Sequence, residues 1–139
     1  MPASANTKAV NSLYGALYGI TPGNVTFVAE SNAAALDLRA YANSKVATVA
    51  AGGPSNAALA TTVLTNMGIN TPELNTALVG IFAVNANDRG VVIAQLSMLL
   101  ENIANNAPGT TVEQKTQFGG AAAAWNAGLA SAYTYSSNT

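Results

Sequence analysis

Carboxylates are the first side chains to consider for chemistry in this 139-residue sequence, because it contains neither histidine nor cysteine. Without these residues no side chain titrates near neutral pH in its ordinary state, and no thiolate nucleophile is available. The carboxylates are Glu30, Asp37, Glu73, Asp88, Glu101 and Glu113. Glu30 and Asp37 could share one helix face at a separation of about 10 Å, but paired-carboxylate catalysis needs both acids in a cleft, and nothing here marks one. Capping or solvated roles are therefore predicted, and no enzyme.

The segment at residues 85–88, Asn-Ala-Asn-Asp, offers oxygen ligands for a cation. It lacks the regular spacing and the distal bidentate glutamate of an EF-hand loop, so we interpret it as a turn in which Asp88 caps the next helix. No glycine pair with P-loop spacing is followed by Lys-Ser or Lys-Thr, which leaves phosphate binding without support. The sequence predicts no cofactor and no metal site in this chain.

Arg89 follows this turn and has two open interpretations. Its guanidinium could join the turn to the C-terminal end of another helix, or it could be a fixed cation that binds an acidic sugar. We favour the structural role, and we assign no ligand-binding residue.

Aromatic residues are few, at 6% of the chain. Three of them fall at core spacing, which predicts buried structural roles: Tyr14, Tyr18 and Trp125. Three tyrosines are not committed to a core position and could be exposed: Tyr41, Tyr133 and Tyr135. Aromatic faces often bind sugars, so exposure is what would make these residues of functional interest.

The elements that must position these side chains are helices, because apolar residues recur at helical spacing nearly throughout the chain. The first helix covers residues 10–18 and ends at Gly19. Later starts are indicated by Thr21 before Pro22, by Ser55, by Thr71 before Pro72, by Asp88, and by a capping box of Thr110 with Glu113. The predicted fold class is all-α, a single compact domain of five to seven short amphipathic helices over residues 1–132. Residues 133–139 are expected to form a tail, or a linker to a missing C-terminal region.

Two helix faces carry specific expectations. The second helix is expected to bury Val25, Val28, Ala29, Leu36 and Ala40. It could break at Ser31 and Asn32, and residues 44–51 form either its continuation or a short separate helix. In the last helix, an alanine run at 121–124 follows Gly119 and Gly120, which indicates that another backbone packs closely there. That backbone belongs either to another helix of the domain or to a second copy of the chain.

Only 8% of the residues are charged, and the formal net charge is −1. The five basic residues are scattered, so we predict no binding to nucleic acid or to an anionic membrane. No apolar run of about 18 residues is present, so no membrane span is predicted, and the N-terminus lacks the features of a cleaved signal peptide. An uncharged Asn/Thr/Ser surface suits a secreted or surface-assembled protein better than a dilute cytosolic monomer.

Five stretches resemble a helical N-terminal domain of large S-layer-like and RTX-type (hemolysin-type calcium-repeat) surface proteins of Gram-negative bacteria. They are LYGITP at 17–22, ALATTVLTNMGI at 58–69, NDRGVV at 87–92, AWNA at 124–127 and SAYTYS at 131–136. The resemblance implies type I secretion on an uncleaved C-terminal signal. It places the calcium-binding repeats in a missing C-terminal region, and it implies that the helical region attaches the lattice to outer-membrane lipopolysaccharide.

The leading hypothesis is therefore a non-enzymatic, extracellular domain at the bacterial cell surface, which anchors an S-layer-like protein through lipopolysaccharide sugar. The alternative is a structural self-assembly subunit of an extracellular filament or lattice. Its partners would be neighbouring copies of the same chain in a homo-oligomer, and its low charge would offer little repulsion between copies.

Overall fold

Seven α-helices and one π-helical turn make up most of residues 5–49 and 53–138, the parts of the chain that the computed structural model describes. The helices are α1 (Ala5–Leu13), α2 (Asn24–Leu36), α3 (Leu38–Ala47), α4 (Asn56–Met67), α5 (Pro72–Val84), α6 (Arg89–Ala104) and α7 (Val112–Ser136). The π-helical turn, Tyr14–Tyr18, continues α1. The described residues contain no strand and form one domain, which confirms the all-α prediction. Residues 1–4, part of the signal-peptide argument, and residues 50–52, at the end of the segment predicted at 44–51, lie outside the described ranges.

Several helix ends lie where the local sequence predicts them. Ser55 and Thr71 cap α4 and α5, because their side-chain oxygens accept hydrogen bonds from backbone N–H groups three residues later. Gly19 and Gly68 end the π-helical turn and α4 with left-handed φ values of 65° and 76°. A side chain is strained in that conformation, so glycine is the residue that allows both chain reversals.

α2 differs from the prediction at its start and in its length. Pro22 does not open a helix, because it is buried and its carbonyl accepts a hydrogen bond from the Ser136 hydroxyl at 2.7 Å. α2 begins at Asn24 and runs unbroken to Leu36. The break falls at Asp37, whose extended backbone separates α2 from α3 and whose carboxylate accepts a backbone N–H of α3 at 3.0 Å. The predicted start at residues 21–22 and the predicted break at residues 31–32 are therefore wrong.

The capping box of α7 is shifted by one residue from its predicted place. The Thr111 hydroxyl accepts the Gln114 N–H at 3.1 Å, and the Gln114 amide oxygen accepts the Thr111 N–H at 3.0 Å. The N–H of Thr110 is already bonded to the Ala107 carbonyl in the preceding turn. The predicted pair of Thr110 and Glu113 is thus wrong, and Glu113 instead lies in the first turn, where the helix dipole favours its charge.

The face of α2 that was predicted to be buried is the face that the structure exposes. All five residues of the prediction are exposed: Val25, Val28, Ala29, Leu36 and Ala40. Phe27 and Ala34 enter the core instead, and the Phe27 ring packs edge-on against Tyr133 of α7, with centroids 6.0 Å apart. Both faces of α2 carry aliphatic residues, so the one aromatic side chain determines which face is buried.

A buried polar chain crosses the core. Trp125 Nε1 donates to Ser97 Oγ at 2.9 Å, and Ser97 Oγ donates to Ser12 Oγ at 2.9 Å. These bonds link α7, α6 and α1 within a cluster of apolar side chains. The largest fully buried members of that cluster are Phe82, Leu13, Leu59, Leu64, Ile93 and Leu100.

The tightest glycine contact between helices is at Gly90, not in the alanine run of α7. A Cβ on Gly90 would lie 2.1 Å from the carbonyl oxygen of Ala42, so α3 and α6 can approach this closely only with glycine there. A Cβ on Gly119 or Gly120 would meet no atom of the described residues within 4 Å. The alanine run itself does meet other parts of the described chain, because Ala122 is fully buried and a Cβ on Gly68 would lie 3.9 Å from Ala121 Cβ. The predicted neighbour within the domain is therefore present at Ala121 and Ala122, and contact of Gly119 and Gly120 with a second copy stays a prediction.

The last helix extends beyond the predicted domain boundary. α7 continues to Ser136, so the tail predicted from residue 133 is wrong over residues 133–136. Ser136 is fully buried, and its hydroxyl lies 3.2 Å from Asn11 Oδ1 in α1. Its carbonyl accepts the Asn24 side-chain amide at 3.0 Å. These contacts dock the last turn of α7 against α1 and the start of α2.

Candidate functional site

A groove of about 710 Å³ runs along α7 beside the ends of the π-helical turn and of α4. From α7 it is lined mainly by small residues, among them Ala124, Gly128 and Ala132. Gly19 and Gly68, the left-handed residues at the two helix ends, also line it. Because these residues have little or no side chain, the space between the helices stays open.

Amides and hydroxyls give the groove its polar groups, which are those of Asn11, Thr21, Thr65 and Asn66. Asn66 Nδ2 donates to the Ala16 carbonyl at 2.7 Å and so joins α4 to the π-helical turn. Asn11 Nδ2 is buried and has no hydrogen-bond partner among the described residues. Helix ends also carry carbonyl groups that have no partner within their own helix. The groove therefore combines donors and acceptors that are all uncharged.

Trp125 lines the same groove and is the only tryptophan of the sequence. Its N–H group is bonded to Ser97, and its ring packs so closely on Gly15 that a Cβ there would lie 3.1 Å from Cη2. These contacts support a structural role and hold the indole in one position, but Trp125 is half-buried and not buried as predicted. Part of the ring stays accessible from the groove.

None of the residues that line the groove in the described ranges is charged. Three of the five basic residues are engaged elsewhere in ion pairs, Lys8 with Glu101, Arg39 with Asp88 and Lys45 with Glu30. The two helix C-termini beside the groove carry the negative ends of their dipoles. The groove consequently disfavours anions and suits a neutral ligand.

A second cluster of side chains joins the π-helical turn to α2 and α3. The Glu30 carboxylate forms an ion pair with Lys45 and accepts the Tyr14 hydroxyl at 2.8 Å. Lys45 Nζ lies 5.3 Å from the ring centroid of Tyr14 and 5.8 Å from that of Tyr41. The Tyr18 ring packs edge-on against Tyr14 at 5.2 Å. π-helical turns frequently mark functional sites, which makes this cluster a second candidate for chemistry.

The ion pair shifts the pKa values of both partners toward their charged forms and activates neither of them. Burial raises the pKa of Glu30, but hydrogen bonds from Lys45 and Tyr14 and the charge of Lys45 outweigh it and hold that pKa below its usual value. Burial lowers the pKa of Lys45, but its hydrogen bond to Glu30 and the charge of that carboxylate raise it overall. Burial, followed by the charge of Glu30, raises the pKa of Tyr41 strongly. At neutral pH the cluster holds the Lys45 ammonium, the Glu30 carboxylate and the neutral phenols of Tyr14 and Tyr41, so these four groups present no free amine or phenolate as a nucleophile.

The remaining carboxylates do not converge. Asp37 caps α3, so it shares no cleft with Glu30. Asp88 accepts two hydrogen bonds from Arg39, at 2.6 and 2.9 Å, and one from Asn43 at 3.2 Å. Asp88 stands at the N-cap position of α6 as predicted, but its carboxylate makes no capping hydrogen bond. Within the ranges that the structure describes, no three possible metal ligands lie together.

Arg89 binds a backbone carbonyl and an amide. Its Nη1 donates to the Pro54 carbonyl at 2.6 Å and to Asn56 Oδ1 at 3.1 Å. It thereby fastens the N-terminal end of α4, and not the C-terminal end of a helix as predicted. These contacts support the structural interpretation, and Arg89 lies apart from the residues that line the groove.

The tyrosines left uncommitted by the sequence have different environments. Tyr41 is buried beside Lys45, Tyr133 packs on Phe27, and Tyr135 is 64% exposed. The sequence did not reveal the groove, because its walls come from separate segments around residues 11–21, 65–68 and 121–132. The one available signal was the open small-residue face of α7.

Comparison of the chain with protein-family models, curated proteins and solved structures finds no match. The resemblance to S-layer-like proteins, the extracellular location and the absence of enzymatic activity therefore stay predictions. None of the described helices has both the length and the apolar character needed to cross a membrane.

Proposed function

We propose that this chain is a non-enzymatic, extracellular cell-surface domain that binds an uncharged polysaccharide in the groove along α7. As an anchor of an S-layer-like protein, it would take the O-polysaccharide of outer-membrane lipopolysaccharide as its ligand. The observation that carries the proposal is the absence of charge from the described lining of a groove that contains Trp125.

The chemistry of a neutral sugar matches the groups in the groove. Sugar hydroxyls both donate and accept hydrogen bonds, as do the side chains of Asn66, Thr21 and Thr65. The C–H faces of a sugar ring are apolar, and alanine and the accessible part of Trp125 offer apolar surface. Specific small-molecule sites combine apolar lining with a few placed polar groups in this way.

Other classes of function have less physical support. A polyanion such as nucleic acid or an acidic glycan needs basic side chains, and the groove has none in its described lining. The pKa shifts of Glu30 and Lys45 keep both groups in their ordinary charged forms. Neither group is tuned to act as a general acid or base near neutral pH. The uncharged lining of the groove is compatible with attachment to a neutral glycan and offers no counter-charge to a polyanion.

The test is attachment of the purified chain to cells of its source that have lost their surface layer. The expected result is attachment to cells that carry O-polysaccharide and none to cells that lack it. Isolated uncharged polysaccharide should compete, and heparin, a polyanion, should not. Equal attachment to both kinds of cell would contradict the proposal, as would attachment to neither.

A further inference from the structure

The outer face of α2 is uncharged and largely apolar, and it has no partner among the described residues. We define the α2 seam as Val25, Ala29, Asn32 and Leu36, which lie within about 60° of arc on the helix. Val25 and Leu36 are 84% and 89% exposed, and the two residues between them are exposed as well. A helix normally packs its aliphatic face against the core. Because this face of α2 is exposed, it is a candidate surface for a binding partner.

The order of large and small residues in the seam identifies that occupant. The spacings of four, three and four residues are those of a coiled-coil seam. Large side chains stand at both ends and small ones in the middle, so the pattern reads nearly the same in both directions. In an antiparallel pair of identical helices, Val25 would face Leu36 of the second copy, and Ala29 would face Asn32. The small central residues would let the two backbones approach closely.

The residues that flank the seam favour the same pairing. They are Thr26, Val28, Ala33 and Ala35, all exposed and all uncharged. The charged residue within α2, Glu30, points to the other side and pairs with Lys45. Two copies would therefore meet without like-charge repulsion, and antiparallel helices would align their dipoles favourably.

We propose that a second copy of this chain docks on the α2 seam, with the two α2 helices antiparallel about a two-fold axis. The surface is separate from the groove, so this dimer does not depend on polysaccharide binding. One helix pair buries less than the roughly 800 Å² per partner of a standard stable interface. The dimer is therefore a concentration-dependent equilibrium, which becomes effective where many copies are held together at a surface.

The test is sedimentation equilibrium of the purified chain from micromolar to millimolar concentration, with charge-swap variants. Wild type should move from monomer to dimer across this range. Val25→Lys alone and Leu36→Glu alone should each lose the dimer, since each places an unpaired charge in an apolar contact. The matched control is Val84→Glu, at an 86% exposed apolar residue of α5, and it should dimerise like wild type.

The double variant Val25→Lys/Leu36→Glu tests the direction of the helices. In the antiparallel dimer each introduced lysine meets the introduced glutamate of the other copy, so dimerisation should return. Failure of the double variant to recover the dimer would overturn the antiparallel arrangement. A wild-type chain that stays monomeric up to millimolar concentration would overturn the proposal, as would single variants that dimerise like wild type.

Discussion

Trp125 Nε1 lies 2.9 Å from Ser97 Oγ, and this hydrogen bond fixes a residue of the groove to the interior of the domain. Ser97 is fully buried in α6 and donates in turn to Ser12 in α1. The position of the indole at the groove is therefore set by the core.

Ser97→Ala removes the acceptor of the half-buried Trp125 N–H group and the partner of the buried Ser12 hydroxyl. We expect it to lower the free energy of unfolding by about 1–3 kcal/mol, the cost of an unsatisfied buried donor. Urea unfolding measures this change. Ser131→Ala, at an exposed serine of α7, is the control and should stay within about 0.5 kcal/mol of wild type. Equal stability of the two variants would show that the hydrogen bonds of Ser97 contribute nothing.

Gly90→Ala tests the close approach of α3 and α6. The new Cβ would lie 2.1 Å from the Ala42 carbonyl oxygen. Since this oxygen belongs to the backbone of α3, it cannot move aside as the end of a flexible side chain could. We expect destabilisation of about 3 kcal/mol or more. Gly80→Ala in α5 is the control, because its Cβ would meet no described atom within 4 Å. Since alanine favours helix over glycine, that control should gain about 0.5–1 kcal/mol. A Gly90→Ala variant as stable as wild type would refute the described packing.

Arg89→Ala separates the two roles considered for this residue. It removes the hydrogen bonds to Pro54 and Asn56, so thermal unfolding should shift down by several degrees, equivalent to about 1–3 kcal/mol. Attachment of the folded variant to polysaccharide should not change. Lys115→Ala, at an exposed lysine of α7, should change neither property. Unchanged stability with lost attachment would instead make Arg89 a ligand-binding residue.

The Glu30–Lys45 pair gives stability a defined dependence on pH. The pKa of Glu30 is lower in the folded chain than in the unfolded chain, where it is about 4.3, so its contribution is lost as pH falls through the folded-state value. The pKa of Lys45 is raised above its unfolded value of about 10.4, so its contribution is lost as pH rises through the folded-state value. The contribution of this pair to stability should therefore be level between these limits.

Glu30→Gln should remove the losses of stability at low and at high pH, because burial, the largest effect on the pKa of Lys45, is then no longer opposed by Glu30 and lowers that pKa. It should lower stability at neutral pH by about 1–3 kcal/mol, between the values for exposed and for buried pairs. The measurement is the urea midpoint as a function of pH. Glu73→Gln, at an exposed carboxylate in the first turn of α5, is the matched control. If the pH profile of Glu30→Gln coincides with that of wild type, the pair makes no net contribution.

Local sequence signals predicted the features that depend on a few neighbouring residues. Ser55 and Thr71 cap their helices because the first backbone N–H groups of a helix have no partner within the helix. A hydroxyl oxygen at the preceding residue can accept a hydrogen bond from one of them. Gly68 ends α4 because its left-handed conformation is almost reserved for glycine. These helix ends are determined by residues within four positions of one another, so they can be predicted without the tertiary structure.

Features that depend on packing could not be predicted in the same way. In α2 the aliphatic periodicity selected the Val25 face, whereas the structure buries Phe27 against Tyr133 of α7. The Asp88 carboxylate pairs with Arg39, which is remote in sequence, and therefore makes no capping hydrogen bond to α6. The groove escaped prediction for the same reason, since it exists only where α7 passes two helix ends that are remote in sequence.

The most direct test of the proposed function is a fluorescence titration of Trp125 with isolated uncharged O-polysaccharide. The signal reports the groove, because this is the only tryptophan of the sequence. Gly128→Leu should fill the groove without harming the helix, since a Cβ there meets no described atom within 4 Å. Gly80→Leu places the same side chain on α5, apart from the groove. We predict a saturable change for wild type and Gly80→Leu and none for Gly128→Leu. An unchanged emission in wild type, or equal binding by both variants, would contradict polysaccharide binding in this groove.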